Sequence, residues 1–104
     1  LEATLNSYEN TLRWKSIADA YSYRPPEEVA RTGIPDGLDQ IRIVSYRVKA
    51  APAMLNEVTA AQTVEIGYYH QDTQLVKTLL DRQLWNYDME LKIWRLGSEI
   101  PEFR

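Results

Sequence analysis

The stretch Val58-Thr59-Ala60-Ala61-Gln62-Thr63-Val64-Glu65-Ile66-Gly67-Tyr68-Tyr69-His70 decides the fold. Val64, Ile66 and Tyr68 fall on one side and Thr63, Glu65 and Tyr69 on the other, the period of two that marks a half-buried strand. Gln71-Asp72-Thr73 forms a hairpin turn, and Gln74 to Trp85 returns as the next strand. Within it Val76, Thr78, Leu80 and Leu84 share an apolar face, and the opposite face, with Leu75, Lys77, Leu79, Asp81, Gln83 and Trp85, is expected to be half wet. Asn86-Tyr87-Asp88 turns the chain again, and Leu91 to Leu96 makes the last strand before Gly97-Ser98 and Pro101. Upstream, Gln40 to Ala50 reads as the first strand. Its apolar residues change phase between Ile43 and Val44, which implies either a bulge or a strand covered on both faces. Ala51-Pro52-Ala53 is expected to interrupt it, since proline cannot donate to a ladder.

Before residue 39 the texture is helical. Leu1, Leu5, Tyr8 and Leu12 recur at spacings of four, three and four, so a helix over about residues 2 to 13 carries them as one stripe, with Glu2, Asn6, Glu9 and Asn10 outward. A bend is expected near Lys15. Ser16 then caps a short second helix that buries Ile17, Ala18 and Tyr21 and has Asp19 in its first turn. Pro25-Pro26-Glu27-Glu28 opens a further turn or two of helix that ends at Gly33, and Pro35-Asp36-Gly37 is a turn. The fold class is therefore α+β: N-terminal helices packed on a curved four-stranded antiparallel meander. It forms one domain over 1–104, with a helical part at 1–33 and a sheet part at 39–97.

Composition sets the outer limits. With 44% hydrophobic and 26% charged residues the chain is too apolar for disorder and too charged for a membrane interior. No apolar run reaches the roughly 18–20 residues of a membrane-spanning helix. The chain opens on Leu1 and not on methionine, which implies an earlier start and, with it, the loss of any targeting segment. Absence of cysteine removes disulfides, thiol nucleophiles and cysteine-bound metals, and leaves the compartment unread. Residues 1 to 39 hold seven acids against four bases, and the densest basic cluster is Arg42, Arg47 and Lys49; nucleic acid is not an expected partner.

Few residues offer chemistry. His70, the single histidine, has the side chain best suited to proton transfer near neutrality, but at a hairpin end with no partner in reach it reads more simply as an exposed turn residue. One histidine without cysteine does not make a usual zinc set, and no cofactor motif is present. Asp81 lies among Leu79, Leu80 and Leu84, where an inward carboxylate would have a raised pKa and act as a base. The favoured alternative for Asp81 is exposure, or an ion pair with Arg42, Arg47 or Arg95. Tyr46, Tyr68, Tyr69 and Tyr87 read either as hydrogen-bond donors in a pocket or as sheet-packing groups. The last hairpin is expected to bring Trp85 and Trp94 near each other, and Trp14 to anchor the helix bend in the core.

Tyr8-Glu9-Asn10-Thr11-Leu12-Arg13-Trp14-Lys15, together with Trp85-Asn86-Tyr87-Asp88, Trp94-Arg95-Leu96 and Ile100-Pro101-Glu102-Phe103, resembles a group of small uncharacterised bacterial proteins of lipoprotein or secreted type. These are similar in plan to the cystatin-like cone fold shared with nuclear transport factor 2. The resemblance implies a bacterial envelope or periplasmic location and a ligand place between sheet and helices. It carries over no catalytic residue. The expected function is thus a non-catalytic binding or interaction module that takes a partner protein or a small apolar ligand at the sheet or cone mouth. Tyr46, Tyr68, Tyr69, Trp85 and Trp94 form the expected surface. A homodimer through the sheet face bearing Tyr69, Leu75, Leu79 and Trp85 is a related expectation. The alternative is a small isomerase, dehydratase or hydrolase that uses Asp81 and a tyrosine.

Overall fold

A computed structural model describes all 104 residues. Helix α1 (Glu2–Asn10) runs on into one wider turn of π-helix over Thr11–Lys15 and breaks at Ser16, whose backbone is extended. The Ser16 hydroxyl accepts from the Asp19 amide at 3.1 Å and so caps α2 (Ile17–Ala20). A short 3₁₀ turn, Tyr21–Tyr23, leads to α3 (Pro26–Thr32), which starts on proline and stops at Gly33 with φ of 75°. Four strands follow, β1 (Ile41–Met54), β2 (Thr59–His70), β3 (Lys77–Asp88) and β4 (Ile93–Leu96). They pair antiparallel in the order β1-β2-β3-β4.

The expected α+β arrangement of helices on a four-stranded antiparallel sheet is present, with shifted boundaries. The first strand does not stop at Ala50. It continues through Pro52 because β1 is an edge strand and the register slips between Ala50 and Ala53, so the missing N–H costs no ladder bond. Of the two readings of the phase change near Ile43, a bulge or a strand covered on both faces, the structure shows a register shift between Ile43 and Ser45. Gly67 lies directly opposite Ser45, where a Cβ would collide with the Ser45 hydroxyl and force that side chain to move. The third strand outlasts the turn read at Asn86-Tyr87-Asp88. The turn comes at Met89–Lys92 because the Asp88 carboxylate accepts from the Glu90 and Leu91 amides, both at 3.0 Å, and starts the reversal there. Trp85 therefore pairs with Leu96, and Trp94 with Tyr87 at 5.2 Å between rings; the two tryptophans are not partners.

Leu5, Tyr8 and Leu12 are buried and close over one face of the sheet, with Ile17 and Ala20 from α2 beside them. From below come Ala60, Val64, Ile66 and Tyr68 of β2, Trp85 of β3 and Leu96 of β4. Trp85 is wholly buried. Its cross-strand neighbour on β2 is the small Ala60, which leaves room for the indole, and the rings of Tyr8 and Tyr23 meet it edge-on at 5.2 and 6.1 Å. At the far end Phe103 packs edge-on against Tyr68 at 5.2 Å. Trp14 does not anchor the bend: it lies off the apolar stripe, 74% exposed, under the Arg13 guanidinium at 5.1 Å.

Candidate functional site

The inward face of β3 is the one expected to be half wet. Residues 81, 83 and 85 share the side of the sheet that the helices cover, because Trp85 must be buried and the period of two takes Asp81 and Gln83 with it. Leu80 and Leu84 are left outward, 54% and 43% exposed. Gln62 is carried inward by the same logic on β2, in phase with Val64 and Ile66, and stands directly across from Gln83. The result is a buried polar seam along an apolar core: Gln62, Asp81 and Gln83 are each 5% exposed or less.

Gln83 organises the seam. Its Nε2 donates to the Tyr46 hydroxyl oxygen at 3.0 Å and to Asp81 Oδ2 at 2.9 Å. Its Oε1 accepts from Trp85 Nε1 at 3.0 Å and from Gln62 Nε2 at 3.2 Å. Buried polar groups left without partners cost about 1–3 kcal/mol each, so one glutamine side chain satisfies four neighbours that would otherwise carry that cost.

The expected exposure or ion pairing of Asp81 is corrected. Its carboxyl is buried, its hydrogen-bond partner is an amide, and neither Arg42, Arg47 nor Arg95 forms an ion pair with it. Burial pushes its pKa up to about 6, partly opposed by the Gln83 hydrogen bond. Burial also raises the Tyr46 phenol, and raises that of Tyr8 well above its ordinary range, with the Asp81 carboxylate adding to both. The Tyr8 hydroxyl is buried with no hydrogen-bond partner.

A groove of about 480 Å³ lies between α1 and β1, at the mouth of the space that the seam fills. Its walls include Leu5, Val48 and Pro52, its rim Glu2 and Glu9, and its inner end Tyr46 and Gln62. Asp81 does not line it; the carboxyl stands behind Gln83, two hydrogen bonds from the groove through Tyr46. Leu5, Tyr8 and Leu12 fill the remaining space between helix and sheet.

The largest hollow, about 850 Å³, lies among the helices and reaches none of these residues. Part of its polar lining is already engaged: the Thr11 hydroxyl donates to the Ser7 carbonyl at 2.9 Å, the Tyr23 hydroxyl bonds Ser7, and Arg24 donates to the Leu96 and Gly97 carbonyls at 3.2 and 2.9 Å. His70 lines a third hollow of about 600 Å³, with Asp36, Asp72 and Glu102. It is not the exposed turn residue expected, being half-buried with Nε2 enclosed and unpartnered. Val64 pairs with Asp81, and His70 lies six residues farther along β2, about 20 Å away at strand rise, so the two candidates do not meet.

The five aromatic residues read as one surface are distributed over the molecule. Trp85 and Tyr68 are core, Tyr46 ends the groove, Tyr69 turns to the outer sheet face, and Trp94 packs on Tyr87 at the β3–β4 hairpin. Leu79 and Trp85 also leave the outer face expected to form a dimer. Sequence reasoning misses Gln62 and Gln83 as site residues; the signal for them is their phase, in step with Val64 and with Trp85. Comparison with protein-family models, with curated proteins and with solved structures finds no match for this chain.

Proposed function

We propose that the domain is a small-ligand binding module whose site is the groove between α1 and β1. The observation that carries this reading is the buried seam ending there: Tyr46 and Gln62 face the groove while both are hydrogen-bonded to the core amide of Gln83. Rigid polar groups at the inner end of an apolar cleft fix a ligand's orientation at little entropic cost, and about 480 Å³ falls within the usual range of ligand sites. The resemblance to cone folds that hold ligands between sheet and helices supports the same place.

The outer sheet face is a poorer candidate for pairing two copies. Leu80 and Leu84 lie there with Arg47 and Arg82, and only Glu65 answers them near the centre, so a face-to-face dimer would press like charges together.

The isomerase, dehydratase or hydrolase alternative retains one favourable observation, an inward carboxyl with its pKa near 6 beside two tyrosines. Against it, Leu5, Tyr8 and Leu12 occupy the volume a substrate would need to touch Asp81. Titration of the ¹⁵N-labelled protein with a library of small amides, alcohols and amines tests the binding reading. Shifts centred on the Gln62 side-chain amide, Val48 and Glu9 are expected. Shifts confined to the outer sheet face, or none, overturn it. An Asp81→Asn variant with unchanged affinity supports binding over catalysis at that carboxyl.

A further inference from the structure

The Gln83 amide has two donor hydrogens and two acceptor lone pairs, and the protein uses all four. Its orientation is not free: Trp85 Nε1 can only donate and an ionised Asp81 can only accept, so the carbonyl must face Trp85 and the NH₂ must face Asp81. That choice propagates to the groove. Tyr46 meets an N–H from Gln83 with its oxygen, which leaves its own hydroxyl hydrogen without a partner in the chain. Gln62 spends an N–H on Gln83, which turns its carbonyl oxygen away from the seam, again without a partner. One donor and one acceptor are thus left free on two groove-lining residues, each held by the same amide.

The surroundings narrow the ligand further. Glu2 and Glu9 line the rim, and Glu9 is paired with the Arg13 guanidinium at 3.2 Å, so the unpaired side-chain charge an anion meets is that of Glu2, and the Gln62 carbonyl oxygen offers a carboxylate no hydrogen bond. Leu5, Val48 and Pro52 offer a short apolar wall.

We infer that the groove selects an uncharged carboxamide on a short aliphatic body, its carbonyl accepting from the Tyr46 hydroxyl and its N–H donating to Gln62 Oε1, and that it rejects the matching carboxylate. The inference rests on the binding reading above and adds the ligand class to it.

The test uses three probes of one chain length, hexanamide, hexanoate and hexylammonium, each titrated at neutral pH into the ¹⁵N-labelled protein up to tens of millimolar. Hexanamide is expected to bind at least about ten-fold more tightly than hexanoate, the equivalent of one good hydrogen bond together with the removal of charge repulsion. Tyr46→Phe is expected to reduce the hexanamide affinity by a similar factor. Should that variant fail to fold, Gln62→Met, which removes the acceptor and keeps the side-chain length, is expected to do the same. Equal affinities for hexanamide and hexanoate, or tighter binding of hexylammonium, overturn the ligand class and leave the site standing. Shifts away from the groove with every probe, or none, overturn the site as well.

Discussion

The second strand buries Ala60, Val64, Ile66 and Tyr68 beneath the helices and turns Thr63 and Glu65 outward, whereas its neighbour β3 buries Asp81 and Gln83 and leaves Leu80 and Leu84 in water. Both strands alternate, and both contribute to one core. They differ in what holds the alternation in place. On β2 the apolar set itself sets the phase. On β3 a single large residue does: Trp85 occupies the space above Ala60 and between Tyr8 and Tyr23, and its burial outweighs the exposure of two leucines. The polar residues dragged inward with it are tolerable only because Gln83 satisfies them together.

Replacing that amide is the largest way to break the comparison. Gln83→Leu makes β3 resemble β2 in polarity but strands Trp85 Nε1, Asp81 and Gln62 in the core. A loss of about 3 kcal/mol in urea-unfolding free energy is expected, after the gain from a buried leucine is set against the unpaired groups. A variant as stable as the parent would mean that the seam is energetically idle.

Asp81→Asn sharpens the contrast in the other direction. The folded state binds the Asp81 proton more tightly than the unfolded chain does, since burial moves the pKa from 3.8 to about 6. The burial penalty is therefore absent below about pH 4, grows as pH rises toward about 6, and is complete above it. Asparagine keeps an acceptor for Gln83 and removes the charge. It is expected to stabilise the protein by roughly 2 kcal/mol at pH 8 and to flatten the decline in thermal stability between about pH 4 and pH 7. A parent protein whose stability does not fall over that range would refute the buried carboxylate.

The smallest effect is expected on the outward leucines. The double substitution Leu80→Ser with Leu84→Ser removes apolar surface that is already half in water, and a change within about 0.5 kcal/mol in thermal unfolding is expected, with an unaltered sedimentation coefficient. A large destabilisation, or dissociation of a larger species, would show that something covers this face.

Much of the fold is legible in the order of the amino acids. The Leu5, Tyr8 and Leu12 stripe, the Ser16 cap, the Gly33 stop and the phase of β2 are local patterns, each written within a few residues of where it acts. The candidate site is legible only in part. Tyr46 and Asp81 stand out by residue type and position, but the glutamines that join them do not, because a strand with two half-apolar faces does not announce which one the helices cover.

What the residues determined alone was the kind and order of the elements, since periodicity, caps and turn chemistry depend on near neighbours. Which face of β3 is buried, and that four polar groups converge on Gln83, were decided by the tertiary structure. Those outcomes depend on one indole finding a cavity built by Tyr8, Tyr23 and Ala60, all far from it in sequence and adjacent only after the sheet has closed.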